Sequence, residues 1–173
     1  MFKIERVNEN NFKNIPNPCR YCLYWQTEGS FGEEMLKPEM EHEKLKWFNK
    51  VNGEFGSCIT LAYLDRVPIG FIQYAPTEFF PRVKEYASGP PSQDAIFLAC
   101  LYITSKEERG KGLGTSMLED FIAKLKERGF KAIETFARKT SADNPSGPLK
   151  LYLKRNFKIK NDEDDFPLVR LEL

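Results

Sequence analysis

The segment RGKGLG, which begins at Arg109, combines glycines and basic residues in a pattern that can bind an anion. Gly110, Gly112 and Gly114 alternate, so the backbone can turn sharply and a ligand can approach it without meeting side chains. Arg109 and Lys111 add two cationic side chains at the same place. A polyanion such as a pyrophosphate therefore fits this segment better than a single carboxylate.

The segments on either side predict the strand and the helix that would position this glycine loop. The apolar run IFLACLYIT, residues 96–104, predicts a buried strand that ends at the loop. Residues 115–129 carry apolar side chains at helical spacing and end in Gly129, a typical C-terminal stop. The first N–H groups of a helix lack intrahelical partners and lie at the positive end of its dipole, so this helix start predicts an anion site.

Two other phosphate loops fit the spacing less well. A P-loop has Lys directly before its Ser or Thr, and no Lys stands before Thr115 or Ser116. A dinucleotide-binding loop has a glycine three residues after Gly112, where this chain has Thr115, although Glu134 lies at a suitable distance for a ribose contact. A nicotinamide dinucleotide therefore stays a minor alternative ligand.

Arg109, Gly112 and Gly114 form the pattern Arg/Gln-x-x-Gly-x-Gly/Ala, which resembles the coenzyme A loop of the GNAT superfamily of acyl-CoA-dependent N-acyltransferases. Downstream, residues 131–137 predict another strand, and PLKLYLKRNFKI resembles the family's short helix followed by a Gly-Phe corner. Asn156 stands where that glycine usually is. Asn is the residue best able to replace Gly in the left-handed conformation at a helix C-terminus.

The resemblance implies that acetyl-CoA is the cofactor. In this family the central strand and its neighbour splay apart, main-chain groups of the central strand hold the acyl-pantetheine arm and polarise the thioester carbonyl, and the glycine loop holds the pyrophosphate. The implied cofactor contacts are Leu101, Tyr102, Ile103, Thr104, Arg109, Gly110, Lys111, Gly112, Leu113, Gly114, Thr115 and Asn144. For Asn144 a second interpretation stays open, because its interval to Tyr152 is one residue longer than usual and DNPSGP is typical of a turn.

Tyr152 falls where the family commonly places a tyrosine, which implies a role as general acid. A phenol of pKa about 10 can protonate a departing thiolate whose parent thiol has a pKa of about 8.5. The alternative is a half-buried tyrosine with its ring in the core and its hydroxyl in water. The sequence shows no evident general base, and the candidates are Glu28, Glu78, Asp94 or a chain of waters.

The segment NPCRYCLYWQTEG lies where the family's first helices and their loop line the acceptor pocket. The resemblance implies acceptor contacts from Tyr24, Trp25 and Glu28, and such a pocket suits an amine with an apolar part. The residues that accompany them in this stretch are Tyr21, Phe31, Glu33 and Glu34. The alternative is an aromatic cluster that faces the core, with the acids on the solvent side.

Cys19 and Cys22 have the spacing of a zinc site or a redox pair. A structural zinc site needs four ligands, and Cys58 and Cys100 lie in strand-like runs without forming a second pair. The only histidine, His42, lies in a charged segment that predicts a solvated side chain. No metal is therefore predicted, and a redox-active pair is left open.

Length and composition predict one compact domain spanning residues 1–173, because 41% of the residues are hydrophobic and no linker interrupts them. The resemblance implies that this is an N-acetyltransferase domain. With 26 basic and 25 acidic residues, the net charge of +1 provides no field that would attract nucleic acid or membranes. No run approaches the roughly 20 apolar residues of a membrane helix. Together with four cysteines that form no regular framework, this predicts a cytoplasmic protein. A homodimer is left open.

The pattern of elements predicts an α/β (α+β) fold, a mixed sheet with helices on both faces. The resemblance implies that this central sheet is mostly antiparallel and splayed at the cofactor cleft. The other predicted elements are a strand at 2–7, a helix-permissive stretch at 31–49 interrupted by Pro38, a hairpin of strands 57–64 and 69–74, a loop at 75–93, and paired strands at 157–160 and 168–173. The expected function is acetyl transfer from acetyl-CoA to the primary amine of a small molecule or peptide, by direct attack in a ternary complex. Because no general base is evident, a non-catalytic acyl-CoA sensor is the alternative.

Overall fold

The computed structural model describes residues 1–30, 34–141 and 143–173. Within these ranges the chain forms strands and α-helices that alternate along much of the sequence. The strands are β1 (Phe2–Arg6), β2 (Ile59–Leu64), β3 (Val67–Pro76), β4 (Ala95–Ile103), β5 (Ala132–Phe136), β6 (Lys158–Asn161) and β7 (Leu168–Glu172), and the helices are α1 (Lys37–Glu54), α2 (Leu113–Glu127) and α3 (Leu149–Leu153). None of the helices in the described ranges is long and apolar enough to cross a membrane.

All seven strands join one sheet in the order β1-β2-β3-β4-β5-β7-β6. Neighbouring strands run antiparallel except β4 and β5, which are parallel. A parallel pair needs a crossover between its strands, and α2 provides it. The predicted mixed, mostly antiparallel sheet is confirmed, and so is the pairing of the two C-terminal strands.

Helices cover both faces of the sheet, as predicted. On one face, Phe48 of α1 packs in a cluster with Phe97 of β4. On the other face, Phe121 of α2 packs with Leu98 of β4. Adjacent residues of a strand point to opposite faces, so β4 is apolar throughout because both of its faces are buried.

The sheet splays between β4 and β5. Their pairing covers only three positions and ends at Phe97 opposite Glu134. There the Thr135 hydroxyl donates a hydrogen bond to the Leu98 carbonyl over 2.8 Å. A register shift between β3 and β4 adds an extra residue, Ala99, to β4, and such a bulge bends and twists a strand. Beyond this point β4 separates from β5, which confirms the predicted splay.

The structure differs from the sequence prediction most clearly at the first helix and in the stretch 75–93. Pro38 lies in the first turn of α1, where proline is tolerated, so it begins the helix rather than interrupting it. The start of the predicted stretch, residues 31–33, lies outside the described residues. The stretch 75–93, predicted as a loop, contains the 3-10 turns Thr77–Phe79 and Pro81–Glu85. Asn156 has φ of 65°, which confirms the left-handed position predicted after the short helix.

Gly70 of β3 lies where the sheet and α2 pack most closely. A Cβ atom on Gly70 would stand 2.6 Å from Met117 Sδ, 3.0 Å from Ile103 Cδ1 and 3.1 Å from Ala62 Cβ. We predict that Gly70→Ala lowers the free energy of unfolding by about 1–3 kcal/mol through overpacking.

The matched control is Gly53→Ala in α1, because no atom lies within 4 Å of its added Cβ. Alanine favours the helix over glycine, so this change should raise the free energy of unfolding by about 0.5–1 kcal/mol. Urea unfolding measures both variants. Equal stability of Gly70→Ala and the wild type would contradict this packing of α2 on the sheet.

Candidate active site

A cavity of about 380 Å³ lies where the end of β4 meets the start of α2, and we call it the glycine-loop cavity. It brings together most of the cofactor contacts implied by the sequence. Its wall is formed by Leu101, Tyr102, Ile103, Glu108, Arg109, Gly110, Gly112, Leu113, Gly114, Thr115, Asn144, Gly147, Pro148 and Leu151. Two predicted contacts are not part of this wall: Thr104 bonds the Ile69 carbonyl through both its N–H and its hydroxyl, and Lys111 pairs at 3.0 Å with Glu108, which does line the cavity.

The glycines of the loop leave open space above the backbone. Gly110 has φ of 75° and Gly112 has φ of 84°, a conformation that favours glycine. No atom would lie within 4 Å of a Cβ on either residue. At Gly114 a Cβ would reach only ordinary contact, 4.0 Å from Ile103 Cγ1. This explains physically why Gly or Ala fits the third position of the motif.

The start of α2 presents main-chain donors to this cavity. Ser116 N–H donates to the Gly112 carbonyl over 3.0 Å and closes the first turn of the helix. The N–H groups that precede Ser116 have no carbonyl one turn earlier in the helix. They lie at the positive end of the helix dipole, beside Gly110 and Gly112. The pyrophosphate end of coenzyme A therefore fits the loop and the helix start.

Arg109 is held by three neighbouring groups, two of which belong to residues of the cavity wall. Its Nε donates to the Ile103 carbonyl over 2.8 Å, and its terminal nitrogens donate to Asp143 Oδ1 over 2.6 Å and to the Tyr102 hydroxyl over 2.7 Å. The hydrogen bond from Arg109, followed by that from Tyr102, lowers the pKa of the Asp143 carboxyl. The ionised carboxylate of Asp143 thus occupies the position beside Arg109 where an anionic ligand would bind.

Residues 143–147, which we call the 143–147 segment, lie in the gap between β4 and the end of β5. The Pro145 carbonyl accepts a hydrogen bond from Leu101 N–H over 2.7 Å. The Ser146 carbonyl accepts one from the Tyr152 hydroxyl over 2.7 Å. Asp143 accepts the one from Arg109. The chain itself therefore occupies three of the groups that the sequence assigns to cofactor binding and catalysis.

Tyr152 is fully buried at 0% exposure, which differs from the half-buried alternative considered for it. Burial raises the pKa of its hydroxyl. The hydroxyl contacts the 143–147 segment rather than the open part of the glycine-loop cavity. Asn144 forms a turn, because its Oδ1 accepts a hydrogen bond from Ser146 N–H over 2.8 Å, and it also lines the cavity. Both interpretations of Asn144 thus agree with its position.

A second cavity of about 420 Å³ lies on the other side of the 143–147 segment, and we call it the aromatic cavity. Its wall is formed by Cys22, Tyr24, Trp25, Tyr86, Cys100, Arg138, Asn144, Pro145, Ser146 and Phe166. Cys100 belongs to the core cluster on the α1 face, whereas Leu101 belongs to the cluster on the α2 face. The two cavities therefore approach the same stretch of β4 from opposite faces of the sheet.

The predicted acceptor residues lie in different surroundings. Trp25 is buried among aromatic rings, stacked on Tyr86 with centroids 5.2 Å apart, so Trp25→Ala would test folding more than ligand binding. The Tyr24 and Tyr86 hydroxyls share a hydrogen bond of 2.9 Å at the cavity wall. Glu28 is exposed and pairs with Lys84 at 3.3 Å, outside both cavities. Two of the accompanying residues, 31 and 33, lie outside the described ranges.

The other acids considered from the sequence, as general bases or as a ribose contact, also lie away from the part of β4 that separates from β5. Glu78 is exposed on a 3-10 turn, and Asp94 pairs with Arg170 just before β4 begins. Glu134, the acid of the dinucleotide alternative, is fully buried and accepts hydrogen bonds from Ser92 N–H and from Arg170. Its carboxylate thus forms hydrogen bonds within the protein and is not placed to contact the ribose of a nicotinamide dinucleotide.

A splayed mixed sheet with a strand, a glycine loop and a helix at the splay defines the class of acyl-CoA-dependent transferases. The family model described as Acetyltransferase (GNAT) family matches residues 17–157. The chain belongs to the GNAT acetyltransferase family, it is an acyltransferase, and its cofactor is acetyl-CoA. Comparison with curated proteins gives no match.

Solved structures share the whole fold at low sequence identity. PaiA N-acetyltransferase from Thermoplasma acidophilum, in complex with coenzyme A, has a TM-score of 0.63 and 17% identity over 100% of this chain and 99% of its own. An N-acetyltransferase from Staphylococcus aureus Mu50 has a TM-score of 0.63 and 18% identity over 100% and 98%. Arabidopsis thaliana Naa50, in complex with the bisubstrate analogue CoA-Ac-MVNAL, has a TM-score of 0.59 and 14% identity over 99% of both chains.

The Asp143 carboxylate competes with an anionic ligand for Arg109. We predict that Asp143→Asn tightens the binding of coenzyme A by roughly 2- to 5-fold. The exposed ion pair contributes little to stability, but the negative charge of the carboxylate competes with the phosphates for Arg109. Calorimetric titration with coenzyme A measures the dissociation constant. The matched control is Asp162→Asn, which removes a carboxylate paired with Lys139 and should leave the constant unchanged. Weaker binding by Asp143→Asn would show that Asp143 positions Arg109 for the cofactor instead.

Proposed function

We propose that this chain is a single-domain N-acetyltransferase, residues 1–173, that transfers the acetyl group of acetyl-CoA to a primary amine by direct attack in a ternary complex. One observation carries the proposal: the glycine-loop cavity and the aromatic cavity reach the same stretch of β4, at Cys100 and Leu101, from opposite faces. A cofactor and an acceptor that entered by these two routes would meet there.

In this proposal the N–H groups at the start of α2, together with Arg109 and Lys111, hold the pyrophosphate. The main-chain N–H of Leu101 holds the acyl-pantetheine arm, and Ile103 N–H faces the same side because main-chain groups alternate along a strand. When bound, acetyl-CoA supplies an acetyl thioester whose sulfur leaves as a thiolate. A hydrogen-bond donor fixed on β4 would polarise the acyl carbonyl.

The 143–147 segment has to move for this arrangement to form. Pro145 and Ser146 already use the Leu101 N–H and the Tyr152 hydroxyl, and each donor has one proton to give. The interval from Asn144 to Tyr152, which is one residue longer than usual in the family, begins in this segment. Displacement of the segment would release both donors together.

Tyr152 is the proposed general acid. In its buried position the raised pKa keeps the hydroxyl protonated. Once the Ser146 carbonyl has moved away and solvent reaches the phenol, its pKa would fall toward the ordinary value of about 10, near enough to a thiol at about 8.5 for proton transfer. The protonated tyrosine is therefore ready when the thiolate departs.

The aromatic cavity is the proposed acceptor site. Among the described residues of its wall, the only charged side chain is Arg138, so no carboxylate there would take a proton from an ammonium group. The amine would bind in its neutral form or lose its proton through water. The aromatic wall favours an amine with a flat or apolar part. A peptide N-terminus stays a candidate acceptor, because the similar Naa50 structure holds a peptide-bearing bisubstrate analogue.

A non-catalytic acyl-CoA sensor is the second candidate, and the closed 143–147 segment is the observation that favours it. A segment that coenzyme A displaces could report binding without chemistry. A cytoplasmic location is part of both proposals, since the four cysteines carry free thiols.

Tyr152→Phe separates the two candidates. We predict a fall in kcat of about 100-fold with no loss of acetyl-CoA affinity, since a general acid contributes about 10²–10⁴-fold to turnover. Release of free coenzyme A thiol, measured across a panel of primary amines, gives kcat, and calorimetry gives the affinity.

The matched control is Tyr74→Phe. Tyr74 is another buried tyrosine, and its hydroxyl donates a hydrogen bond of 3.2 Å to Ser57 Oγ; neither residue lines either cavity. Both variants lose one hydrogen bond and about 1 kcal/mol of stability, but only Tyr152→Phe should lose turnover. Unchanged turnover in Tyr152→Phe would remove the general-acid assignment. A wild-type protein that binds acetyl-CoA and acetylates no amine would favour the sensor.

A further inference from the structure

The Cys-x-x-Cys pair lies at the aromatic cavity, and the proposed acetyl transfer does not use it. Cys22 is partly exposed and lines the cavity. Cys19 is buried behind it. Both carry free thiols. The described residues contain no group of three or more His, Cys, Asp or Glu side chains placed to hold a metal ion.

The backbone between the two cysteines forms a turn that brings their Cα atoms close together. Cys22 N–H donates to the Cys19 carbonyl over 3.3 Å, which closes a four-residue turn. The end Cα atoms of such a turn lie within about 7 Å of each other. A disulfide requires a Cα separation of about 4.4–6.8 Å. The turn thus holds the two cysteines within bridging range.

A buried lysine lies directly beneath this turn. Lys44 is 1% exposed, and its ammonium donates to the Cys22 carbonyl over 2.9 Å and to Gln73 Oε1. Gln73 stands opposite Cys100 in the β3–β4 register, and directly opposed side chains share one face of a sheet. Lys44 therefore lies among the thiols, and its charge interacts with all four cysteines of the chain.

The two thiols differ in their exposure. Cys22 is partly exposed at the cavity wall, where a small disulfide can reach it. Cys19 is buried, and burial raises the pKa of its thiol to about 12. The thiol that attacks a disulfide has to be accessible to it. Cys22 is thus the attacking thiol, and Cys19 is the resolving one.

We propose that Cys19 and Cys22 are a modification site, a dithiol that forms a reversible disulfide with low-molecular-weight disulfides and so controls the aromatic cavity. Cys22 sulfur attacks one sulfur of the small disulfide, and one small thiol leaves. Cys19 sulfur then attacks Cys22 sulfur in the mixed disulfide and releases the second small thiol. The two cysteine protons end on the two small thiols; the cysteines are oxidised, and the small disulfide is reduced.

The disulfide changes one cavity and spares the other. Bond formation turns Cys22 Sγ away from the cavity wall toward the buried Cys19. The wall beside Tyr24 and Cys100 is thereby reshaped, whereas neither cysteine lines the glycine-loop cavity. Oxidation should therefore alter acceptor binding and leave acetyl-CoA binding unchanged. This consequence rests on the proposed function, but the disulfide itself does not.

Peptide mapping tests the disulfide. The full chain is equilibrated with mixtures of reduced and oxidised glutathione, alkylated and digested with trypsin, which cleaves after Arg20 between the two cysteines. We expect a disulfide-linked pair of peptides containing Cys19 and Cys22, which dithiothreitol separates. Cys58→Ser, which removes a buried cysteine outside the cavity wall, should form the same link. Absence of a 19–22 link, or a link from Cys22 to Cys100, would overturn the proposal.

Kinetics test the control of the cavity. The oxidised protein should bind acetyl-CoA with unchanged affinity by calorimetry, and its acceptor KM should rise at least 3-fold and return with dithiothreitol. The double variant Cys19→Ser, Cys22→Ser should show no dependence on the glutathione ratio. A wild-type acceptor KM that oxidation leaves unchanged would overturn the control. Failure of the reduced protein to bind acetyl-CoA would instead overturn the proposed function, with the mapped disulfide unaffected.

Discussion

The parting of β4 from β5 after Phe97 leaves buried main-chain groups of β4 without a neighbouring strand. Such groups have to be satisfied, because an unpaired buried N–H is costly. In this structure the Pro145 carbonyl takes the Leu101 N–H. That contact and its neighbours fix the position of the 143–147 segment. They also account for the burial of Tyr152 and for the hydrogen bonds that hold Arg109.

This arrangement sets a condition on cofactor affinity. A ligand that displaces the segment breaks the Leu101–Pro145 and Tyr152–Ser146 hydrogen bonds, each worth about 1 kcal/mol net. Together they would weaken apparent binding by roughly 30-fold unless the ligand replaces both bonds. A coenzyme A arm that bonds Leu101 replaces one of them directly. The closed segment therefore favours ligands that carry a hydrogen-bonding arm as well as a pyrophosphate.

The parts of the site that depend on local sequence were predictable. The strand, the glycine loop and the helix start follow from periodicity and from glycine conformations, and Asn156 adopts the left-handed conformation expected of a Gly substitute. The family match over residues 17–157 confirms what that loop indicated. The mixed sheet and its splay were likewise expected from the resemblance.

The parts that depend on distant contacts were not predictable. The partner of Arg109 is an acid 34 residues away, and sequence spacing does not reveal such a pair. Trp25 belongs to the core because rings from several strands and loops surround it. In the sequence, Lys44 is one of several basic residues in a charged helix. Only the fold shows that its ammonium group is buried beneath the Cys22 carbonyl.

A calorimetric titration of the chain with acetyl-CoA tests the cofactor assignment most directly, with NAD as the comparison ligand and Gly112→Trp as the variant that fills the loop. We predict that one acetyl-CoA binds per chain, that NAD does not bind, and that Gly112→Trp abolishes binding, because its side chain would occupy the open space above the loop. Binding of NAD, or acetyl-CoA binding that survives Gly112→Trp, would contradict the assignment of the cofactor to the splay between β4 and β5.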